Sequence, residues 1–378
     1  MKLVVVYRVI QGWREPVFSK VADCHDFKLL HGCDFPNTKV VSAKGPFSFN
    51  SKKLFSLPLS IKHSKGNMLL PISPGLFIEL IKCKPDVVLC EGASNFINNI
   101  SIFLYCKLFK KKMIQWGLGE IRGKKKSKIR KLLDPFIVPI EKRADAIVSY
   151  SSVGAKYYER IGVPKDRIFV AVNVVDTDKR LSEIESFNKS NLNLKQTSSN
   201  FKIVFVGALE VNKNIEMLIG VCKYLVEKFK NVELHIVGSG SDENRLKGIV
   251  EQYQLSHSII FHGRVNGPLV NILYDKDLFV MPGLGGLAVS DMLCHGIPVI
   301  CGVGDGCELD LINGKNGVVI DDLNEVSLLA EIEKLLKDPL RLKQMKQEAF
   351  KTIETHNISN YVSQINNAIE YSVKDEKN

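Results

Sequence analysis

The chain has 378 residues, which is more than a single compact core usually holds and enough for two domains. With 45% hydrophobic and 25% charged residues it has the composition of a folded globular protein, which excludes the collagen-like, disordered and disulfide-scaffold classes. The net charge of +11 comes from the first half: residues 1–178 hold 30 Lys and Arg against 15 Asp and Glu, and residues 179–378 hold 22 against 26. This asymmetry predicts that one half meets an anionic partner, either nucleic acid or an anionic membrane leaflet.

Neither a membrane span nor a signal peptide is predicted. No uninterrupted apolar run reaches the roughly 18 residues that a span requires, and the apolar start is broken at Tyr7 and Arg8 without a small-residue cleavage site. The nine cysteines are odd in number and form no C-x-x-C pair. They predict reduced thiols in a cytoplasmic protein and no cysteine-based metal site.

In the first half, short apolar runs rich in β-branched residues alternate with amphipathic stretches. Strands are predicted at 2–7, 85–90, 144–149 and 168–172, and helices at 76–82 and 151–161. Strand alternating with helix predicts a parallel sheet covered by helices on both faces.

A polar stretch at 179–200 is predicted to be a linker, and a second α/β series follows it. Strands are predicted at 202–206, 232–237, 259–261, 278–281, 298–300 and 317–320, and helices at 214–229 and 340–371. The predicted organisation is an amino-terminal domain at 1–178, a carboxy-terminal domain at 201–355, and a final helix and tail at 356–378. Two doubly wound domains are expected to bind ligands in a cleft between their sheet ends.

Glycines follow several predicted strands of the second half. Gly207 ends one strand, and Lys213 lies six residues on, at the start of the next helix. Backbone N–H groups at a helix start and a lysine ammonium together favour a diphosphate. Gly238 follows the next predicted strand in the same way, and there a plain turn is the simpler interpretation.

The stretch 281–300 is the most informative. Its predicted strand ends at Pro282, a loop with Gly283, Gly285 and Gly286 follows, and a helix begins near Leu287. Backbone amides without a neighbouring Cβ allow close approach by a phosphate and a sugar. Asp291 lies one turn into the helix: a lone helix carboxylate is usually solvated, but one aimed into the cleft could accept hydrogen bonds from ribose hydroxyls.

Together these motifs resemble family 4 retaining glycosyltransferases, which have the GT-B fold. The resemblance rests on 205–213, 236–240, 261–265, 282–300 and 313–317 in the second half, and on 143–151 and 173–177 in the first. Glu91-Gly92 and 116–119 are similar to a branch found in bacterial surface-polysaccharide gene clusters. The resemblance covers nearly the whole chain, and it implies a GT-B fold of two Rossmann-like domains.

The resemblance also implies roles for individual residues. Lys213 matches the diphosphate-binding lysine, and Asp291 matches the second acid of a Glu-x7-Glu motif that holds the ribose. Glu308 lies near a further donor-side acid, although its spacing to Gly314 is one residue longer than usual, so Asp310 could take that place. The remaining donor-binding positions are Gly12, Gly207, Gly238, Arg264, Val265, Gly285, Gly286 and Leu287.

Three positions depart from the family pattern. Ala208 replaces an arginine, Gly283 replaces the first glutamate of the acidic pair, and Leu118 stands where the branch often has histidine. Arg264 or Arg14 is the candidate replacement for the missing cation, and the sequence does not choose between them.

The resemblance implies a retaining mechanism without a protein nucleophile, a metal or a cofactor. The donor's own phosphate is expected to accept the acceptor proton, and Lys213, Asp291 and Gly286 are the predicted catalytic residues. Catalysis then consists of positioning the substrates and stabilising the departing diphosphate. A UDP-sugar is slightly favoured as donor.

Two basic clusters lie in the first half and lack a recognisable nucleic-acid-reading motif. They predict reversible binding to an anionic membrane, with a solvated helix face as the alternative. Their members are Lys110, Lys111, Lys112, Lys124, Lys125, Lys126, Lys128, Arg130 and Lys131.

The sequence therefore predicts a cytoplasmic glycosyltransferase, peripheral on the inner face of the cytoplasmic membrane. It is expected to move a sugar from a nucleotide-sugar to a lipid-linked saccharide during synthesis of O-antigen, capsule or exopolysaccharide. One alternative is a catalytically impaired, nucleotide-sugar-binding partner subunit of the same fold. The other is a nucleotide-sugar epimerase, which would need acid and base side chains that the motifs do not supply.

Overall fold

The computed structural model describes residues 1–35, 41–63, 66–123, 128–191, 200–283 and 285–374. The chain forms two compact units. Unit 1 comprises residues Met1–Val172 and Ser359–Asn378, and unit 2 comprises Asn173–Ile358. The boundary after Val172 lies six residues before the predicted one, and the carboxy-terminal helix belongs to unit 1.

Unit 1 contains a parallel sheet with the strand order β3-β2-β1-β6-β7-β8-β9 and a separate antiparallel hairpin, β4-β5. Its strands are β1 (Lys2–Tyr7), β2 (Asp26–His31), β3 (Ser51–Lys53), β4 (Leu57–His63), β5 (Gly66–Ile72), β6 (Val87–Glu91), β7 (Lys112–Gly117), β8 (Ala146–Ser149) and β9 (Ile168–Val170). Its helices before residue 172 are α1 (Glu15–Ala22), α2 (Leu76–Cys83), α3 (Phe96–Leu108), α4 (Lys128–Arg143) and α5 (Ser152–Arg160).

Three of these helices share one core of unit 1. Leu80 of α2, Tyr105 of α3 and Ile140 of α4 belong to the same buried cluster as Val4 and Val88 of the sheet. The helices α2, α3 and α4 therefore lie side by side on one face of the sheet and turn their other sides to solvent.

Unit 2 contains a parallel sheet with the order β12-β11-β10-β13-β14-β15. Its strands are β10 (Phe201–Val206), β11 (Val232–Val237), β12 (Ile259–Gly263), β13 (Leu278–Met281), β14 (Val299–Gly302) and β15 (Gly317–Ile320). Its helices are α6 (Thr177–Ser190), α7 (Ile215–Phe229), α8 (Glu243–Gln252), α9 (Val270–Leu273), α10 (Leu287–Cys294), α11 (Glu308–Leu311), α12 (Glu325–Leu336) and α13 (Pro339–Thr355). The last helix, α14 (Ile358–Lys374), belongs to unit 1 from its second residue onward. The two parallel α/β units confirm the predicted fold class.

Two predicted segments differ from the structure. The stretch predicted as a linker begins inside α6, whose first turn is capped by the Asp176 side chain accepting a hydrogen bond from the Lys179 amide. The single helix predicted at 340–371 is two helices. Asn357 ends α13 by donating its side-chain amide to the carbonyls of Ile353 and Glu354.

Among the described residues, no helix combines the length and the apolarity needed to cross a bilayer.

Candidate functional site

The glycine loop after β13 leaves backbone exposed at the start of α10. Gly286 precedes the helix with φ of 148°, a conformation that L side chains rarely adopt, and a Cβ built on it meets nothing within 4 Å. The first N–H groups of a helix have no intrahelical partner. Gly286 therefore borders open space at a helix start, the kind of position that binds phosphate, and Leu287 is the first residue of that helix.

Lys213 lies against this loop. It ends a short 3-10 helix, and α7 begins two residues later. A Cβ on Gly283 would lie 2.5 Å from the carbonyl oxygen of Asn212 and 2.5 Å from the Cα of Lys213. The structure thus brings together the predicted diphosphate lysine and the predicted glycine loop, and the contact requires glycine at 283. The glutamate of the family pattern does not fit there without moving backbone.

The glycines after β10 and β11 pack backbone against backbone. The Gly207 amide donates to the Val237 carbonyl at 3.0 Å, and the Gly238 amide donates to the Gly263 carbonyl at 2.8 Å. A Cβ on Gly238 would lie 1.8 Å from the Gly207 carbonyl oxygen, and φ at Gly238 is 139°. These two amides already have protein acceptors, so the structure gives Gly207 and Gly238 a packing role. Their contact with a donor stays a prediction.

Asp291 is buried in α10 and paired with an arginine that the sequence interpretation missed. Arg180 of α6 donates from Nε to one carboxylate oxygen at 2.9 Å and from an Nη to the other at 3.2 Å. Burial raises the pKa of Asp291, and the charge of Arg180 opposes that rise. The Arg180 guanidinium already donates to both carboxylate oxygens of Asp291. A ribose hydroxyl that donated to Asp291 would therefore share an oxygen with Arg180.

Glu308 is also buried and satisfied by backbone. Its carboxylate accepts hydrogen bonds from the amides of Gly304 at 2.8 Å and Gly306 at 2.9 Å, and burial raises its pKa. A Cβ on Gly304 would lie 3.2 Å from the Gly285 nitrogen, so the loop that Glu308 organises borders the glycine loop. Asp310, the alternative acid, is half-buried.

Arg264 and Val265 directly follow β12, at the same end of the sheet as the other loops of unit 2. The Arg264 side chain is exposed, and Val265 is half-buried. The preceding Gly263 accepts the amide of Gly238, which places this segment beside the loop after β11.

Unit 1 has its own cavity of about 400 Å³ at the carboxyl ends of its central strands. Arg8 and Glu91 form an ion pair in its wall, with 2.6 Å between Nη and Oε, and Ser94 donates to the same carboxylate. Burial lowers the pKa of Arg8, but the charge of Glu91, its hydrogen bond to Arg8 and the neighbouring Tyr7 and Tyr150 together outweigh burial, and the pKa is raised. Trp116 also lines the cavity, and its buried indole N–H has no acceptor among the described atoms.

Arg14 lies in the same wall, enclosed by aromatic rings. Its guanidinium carbon is 4.7 Å from the ring centroids of Trp116 and Tyr150 and 5.6 Å from that of Tyr361, whose hydroxyl accepts a hydrogen bond from it. Such cation–π contacts hold the buried charge within unit 1. Of the two arginines considered for the missing cation, only Arg264 is exposed. Gly12, in the preceding turn, is exposed as well.

The predicted membrane-binding cations have different surroundings. Lys111 pairs with Asp86 at 3.2 Å and Lys112 with Asp145 at 3.7 Å, so these two neutralise strand-end carboxylates. Arg130 donates to Asp134 at 2.6 Å and to the Tyr157 hydroxyl at 2.9 Å, which makes it part of an internal network. The exposed members are Lys110, Lys128 and Lys131, and Lys124, Lys125 and Lys126 lie outside the described residues.

Part of the chain matches a known protein family. Residues 186–352 match the family described as "Glycosyl transferases group 1". An uncharacterized glycosyltransferase, MJ1069 of Methanocaldococcus jannaschii, is 26% identical over 70% of this chain and 69% of its own length. Several other curated relatives align over about half of their own length.

Two solved structures are similar over the whole chain. Alr3699/HepE of Anabaena, in complex with UDP, has a TM-score of 0.73 at 15% identity, covering 98% of this chain and 100% of that one. The apo form of WaaB, a lipopolysaccharide outer core galactosyltransferase, has a TM-score of 0.72 at 17% identity, covering 99% and 100%. The chain therefore has the GT-B fold, and its residues 186–352 match the glycosyl transferases group 1 family.

Proposed function

We propose that the protein is a retaining, metal-independent glycosyltransferase. It transfers a sugar from a nucleotide-sugar, with UDP as the favoured nucleotide, to a lipid-linked saccharide in the synthesis of a surface polysaccharide. The group 1 domain supports the reaction class. The complex of the Anabaena protein with UDP supports the nucleotide, and the similarity to WaaB, a lipopolysaccharide outer core galactosyltransferase, supports the polysaccharide context.

The observation that carries this proposal is the contact between Gly283 and the backbone of Lys213. It joins a lysine to a loop that leads into α10, whose N-cap Gly286 makes no side-chain capping bond. The first amides of a helix have no intrahelical partner. A diphosphate gains charge when the sugar leaves it. Preorganised donors that meet this charge stabilise the transition state more than the ground state.

In the proposed reaction an acceptor hydroxyl oxygen bonds to the anomeric carbon of the donor sugar. The bond from that carbon to the phosphate oxygen breaks, and the acceptor proton passes to a phosphate oxygen of the departing nucleotide. Lys213 and the amides around Gly286 hold the diphosphate throughout. Asp291, fixed by Arg180, acts by keeping α10 and its first turn in position.

The cavity of unit 1 is our candidate for the acceptor saccharide. Sugar rings offer hydroxyls on their rims and apolar faces, and the cavity combines the Arg8–Glu91 pair with the exposed ring of Trp13 and the unpaired indole N–H of Trp116. These groups match both parts of a sugar ring. The exposed cations Lys110, Lys128 and Lys131 support a location on the inner face of the cytoplasmic membrane, where anionic lipid attracts lysine.

Nucleotide binding tests the donor site. We expect UDP or a UDP-sugar to raise the Tm of the purified protein, since a ligand at 100 times its Kd adds about 2.7 kcal/mol, and GDP and ADP to raise it less. Lys213→Ala should reduce the shift and abolish sugar transfer. Lys343→Ala, which removes an exposed lysine of α13, is the matched control and should leave both unchanged. No shift with any nucleotide would contradict the proposal.

The partner-subunit alternative has one observation in its favour. Glycine at 283 leaves the loop without the carboxylate of the family pattern, and the contact with Lys213 keeps a side chain out. A partner subunit would bind the nucleotide-sugar and show the Tm shift, but it would neither transfer the sugar to any saccharide acceptor nor hydrolyse the donor. Transfer that depends on Lys213 would exclude it.

A further inference from the structure

The outer sides of α2, α3 and α4 expose an unusual number of large apolar side chains. Leu108 is 69% exposed, Leu132 74% and Phe136 61%. Large contiguous apolar patches on a soluble protein mark interaction surfaces, whereas single exposed residues do not. The set on the three helices is Ile78, Ile81, Ile100, Leu104, Leu108, Leu132 and Phe136, and we call it the α2–α4 face.

These side chains form stripes along the helices. In α3, Leu104 and Leu108 are four residues apart, and in α4, Leu132 and Phe136 have the same spacing. Residues at this spacing lie above one another on one side of a helix. Because the opposite sides of α2, α3 and α4 share one core cluster, the stripes lie next to each other on the outer face of unit 1.

The exposed charge on the three helices themselves is positive, and just beyond α2 the half-exposed carboxylate of Asp86 pairs with Lys111. Glu79 and Glu141 are buried, and Asp134 is half-buried against Arg130, so the three helices expose no carboxylate. Cations are exposed among or just beyond the apolar stripes. They are Lys82, Lys107, Lys110, Lys128, Lys131 and Lys142.

We propose that the α2–α4 face inserts its apolar side chains into the interface of an anionic phospholipid bilayer. This deepens the proposed function, on which it rests, by replacing a purely electrostatic attachment with a defined insertion surface. Helices with an apolar stripe bordered by lysine lie in the bilayer interface, and the lysines attract anionic headgroups. A second copy of the chain fits poorly, because a symmetric contact would place lysines opposite lysines.

Vesicle binding of the full chain tests this inference. The variant carrying Leu104→Gln, Leu108→Gln, Leu132→Gln and Phe136→Gln together should bind vesicles of phosphatidylglycerol and phosphatidylcholine at least about tenfold more weakly than the parent. Leu340→Gln, which changes a side chain 75% exposed on α13 of unit 2, is the matched control and should bind like the parent. Binding to vesicles of phosphatidylcholine alone should be weaker for all three proteins.

Two measurements distinguish insertion into the bilayer from electrostatic attraction to its surface: the salt dependence of vesicle binding and the depth of a tryptophan probe in the bilayer. Screening weakens attraction between exposed charges, so an electrostatic attachment would be lost at high salt, whereas an inserted face keeps part of its binding. In Phe136→Trp, brominated lipid should quench the new indole, and soluble bromide should reach it less once vesicles are present. Equal vesicle binding by the parent and the fourfold variant, or no quenching by brominated lipid, would overturn the proposal.

Two readouts keep this inference apart from the proposed function. The Tm shift with UDP depends on unit 2 and should be the same in the parent and in the fourfold variant. If the shift is present and vesicle binding is absent, the insertion surface is refuted and the donor site stands. If the fourfold variant instead changes only the oligomeric state measured by light scattering, the face contacts another copy and the proposal is wrong.

Discussion

The two units place different chemical groups at the carboxyl ends of similar parallel sheets. Unit 2 brings backbone together there: Gly207 against Gly238, and Gly283 against Lys213. Unit 1 fills the equivalent position with side chains, including the Arg8–Glu91 pair and Arg14 against Trp116. The same topology therefore produces closely packed backbone beside the start of α10 in one unit and a surface of rings and charges in the other.

This difference indicates what each sheet end is suited to bind. The first amides of a helix, such as those at the start of α10, are compact, fixed donors that match phosphate oxygens. Aromatic rings and a paired arginine and carboxylate offer the mixture of apolar area, donors and acceptors that matches a sugar. We therefore expect the nucleotide of the proposed reaction to bind at the sheet end of unit 2 and the saccharide to bind at the sheet end of unit 1.

The largest expected effect tests the backbone packing of unit 2. In Gly238→Ala the new Cβ would lie 1.8 Å from the Gly207 carbonyl oxygen at a φ of 139°, so backbone has to move. We expect a loss of about 3 kcal/mol, equivalent to a Tm lower by ~6–12 °C. Gly248→Ala is the control: it lies in α8 with open space around it and should stabilise by about 0.5–1 kcal/mol. A Gly238→Ala protein with the parent Tm would refute the packing role.

The second effect concerns how unit 2 uses its buried carboxylate. Arg180→Ala leaves Asp291 buried without the guanidinium that bonds both oxygens, and we expect about 2–3 kcal/mol of destabilisation. Lys189→Ala, at the exposed end of the same helix, should leave the Tm unchanged.

Substrate kinetics then separate the two possible roles of Asp291. If it contacts ribose, Asp291→Asn should raise the KM for the donor while kcat changes little. If it only positions α10, both Arg180→Lys and Asp291→Asn should lower kcat through the displaced glycine loop. A variant of Arg180 with parent stability would show that the pair has no structural role.

The sequence predicted most of the parallel sheets because their strands are buried runs of β-branched residues. The predicted strands at 2–7, 232–237 and 278–281 agree with β1, β11 and β13 to the residue. Strand β7 was missed, since Lys112 and Gln115 interrupt its apolar pattern, although both neighbours of β7 in the sheet were predicted. Burial in the middle of a sheet overrides local polarity in a way that a short window does not reveal.

The sequence predicted individual residues of the candidate site, but it did not predict which of them are in contact. Lys213 and Gly283 carry local signals of a helix start and a turn, but their contact depends on how two βα units pack. Arg180 carried no signal at all, because it lies in a polar helix 111 residues from Asp291 and resembled part of a linker. Tertiary packing decides which side chain pairs with a buried carboxylate such as Asp291.

A smaller effect is expected from acid, again in unit 2. His235 of β11 is buried between His262 at 2.9 Å and Glu233 at 3.1 Å, and burial and Lys276 lower its pKa to about 4. Below pH 6.5 the unfolded chain binds a proton that the folded chain does not, so stability falls as the pH falls from 6.5 to 4. Between pH 7.5 and 5.5 we expect a loss of about 1.4 kcal/mol from this group.

Urea unfolding at several pH values measures this slope. His235→Gln should flatten it, and His257→Gln, which changes an exposed histidine, should leave it as in the parent. Part of the slope should remain in His235→Gln, because burial also lowers the pKa of His31 in unit 1 and of His295 in unit 2. A slope identical to the parent in His235→Gln would contradict the assignment.

The smallest effect tests the sugar-binding character of unit 1. Trp13 is 48% exposed and lines the cavity, so its removal changes little of the core. If its ring covers one face of an acceptor sugar, Trp13→Ala should forfeit ~1 kcal/mol of apolar contact and raise the acceptor KM about fivefold. The donor KM and the Tm shift with UDP should stay at parent values, as they should in Tyr224→Ala, which removes an exposed ring of α7. If the donor KM rises and the acceptor KM is unchanged, the cavity binds the transferred sugar. The proposal that unit 2 binds the donor and unit 1 the acceptor would then be wrong.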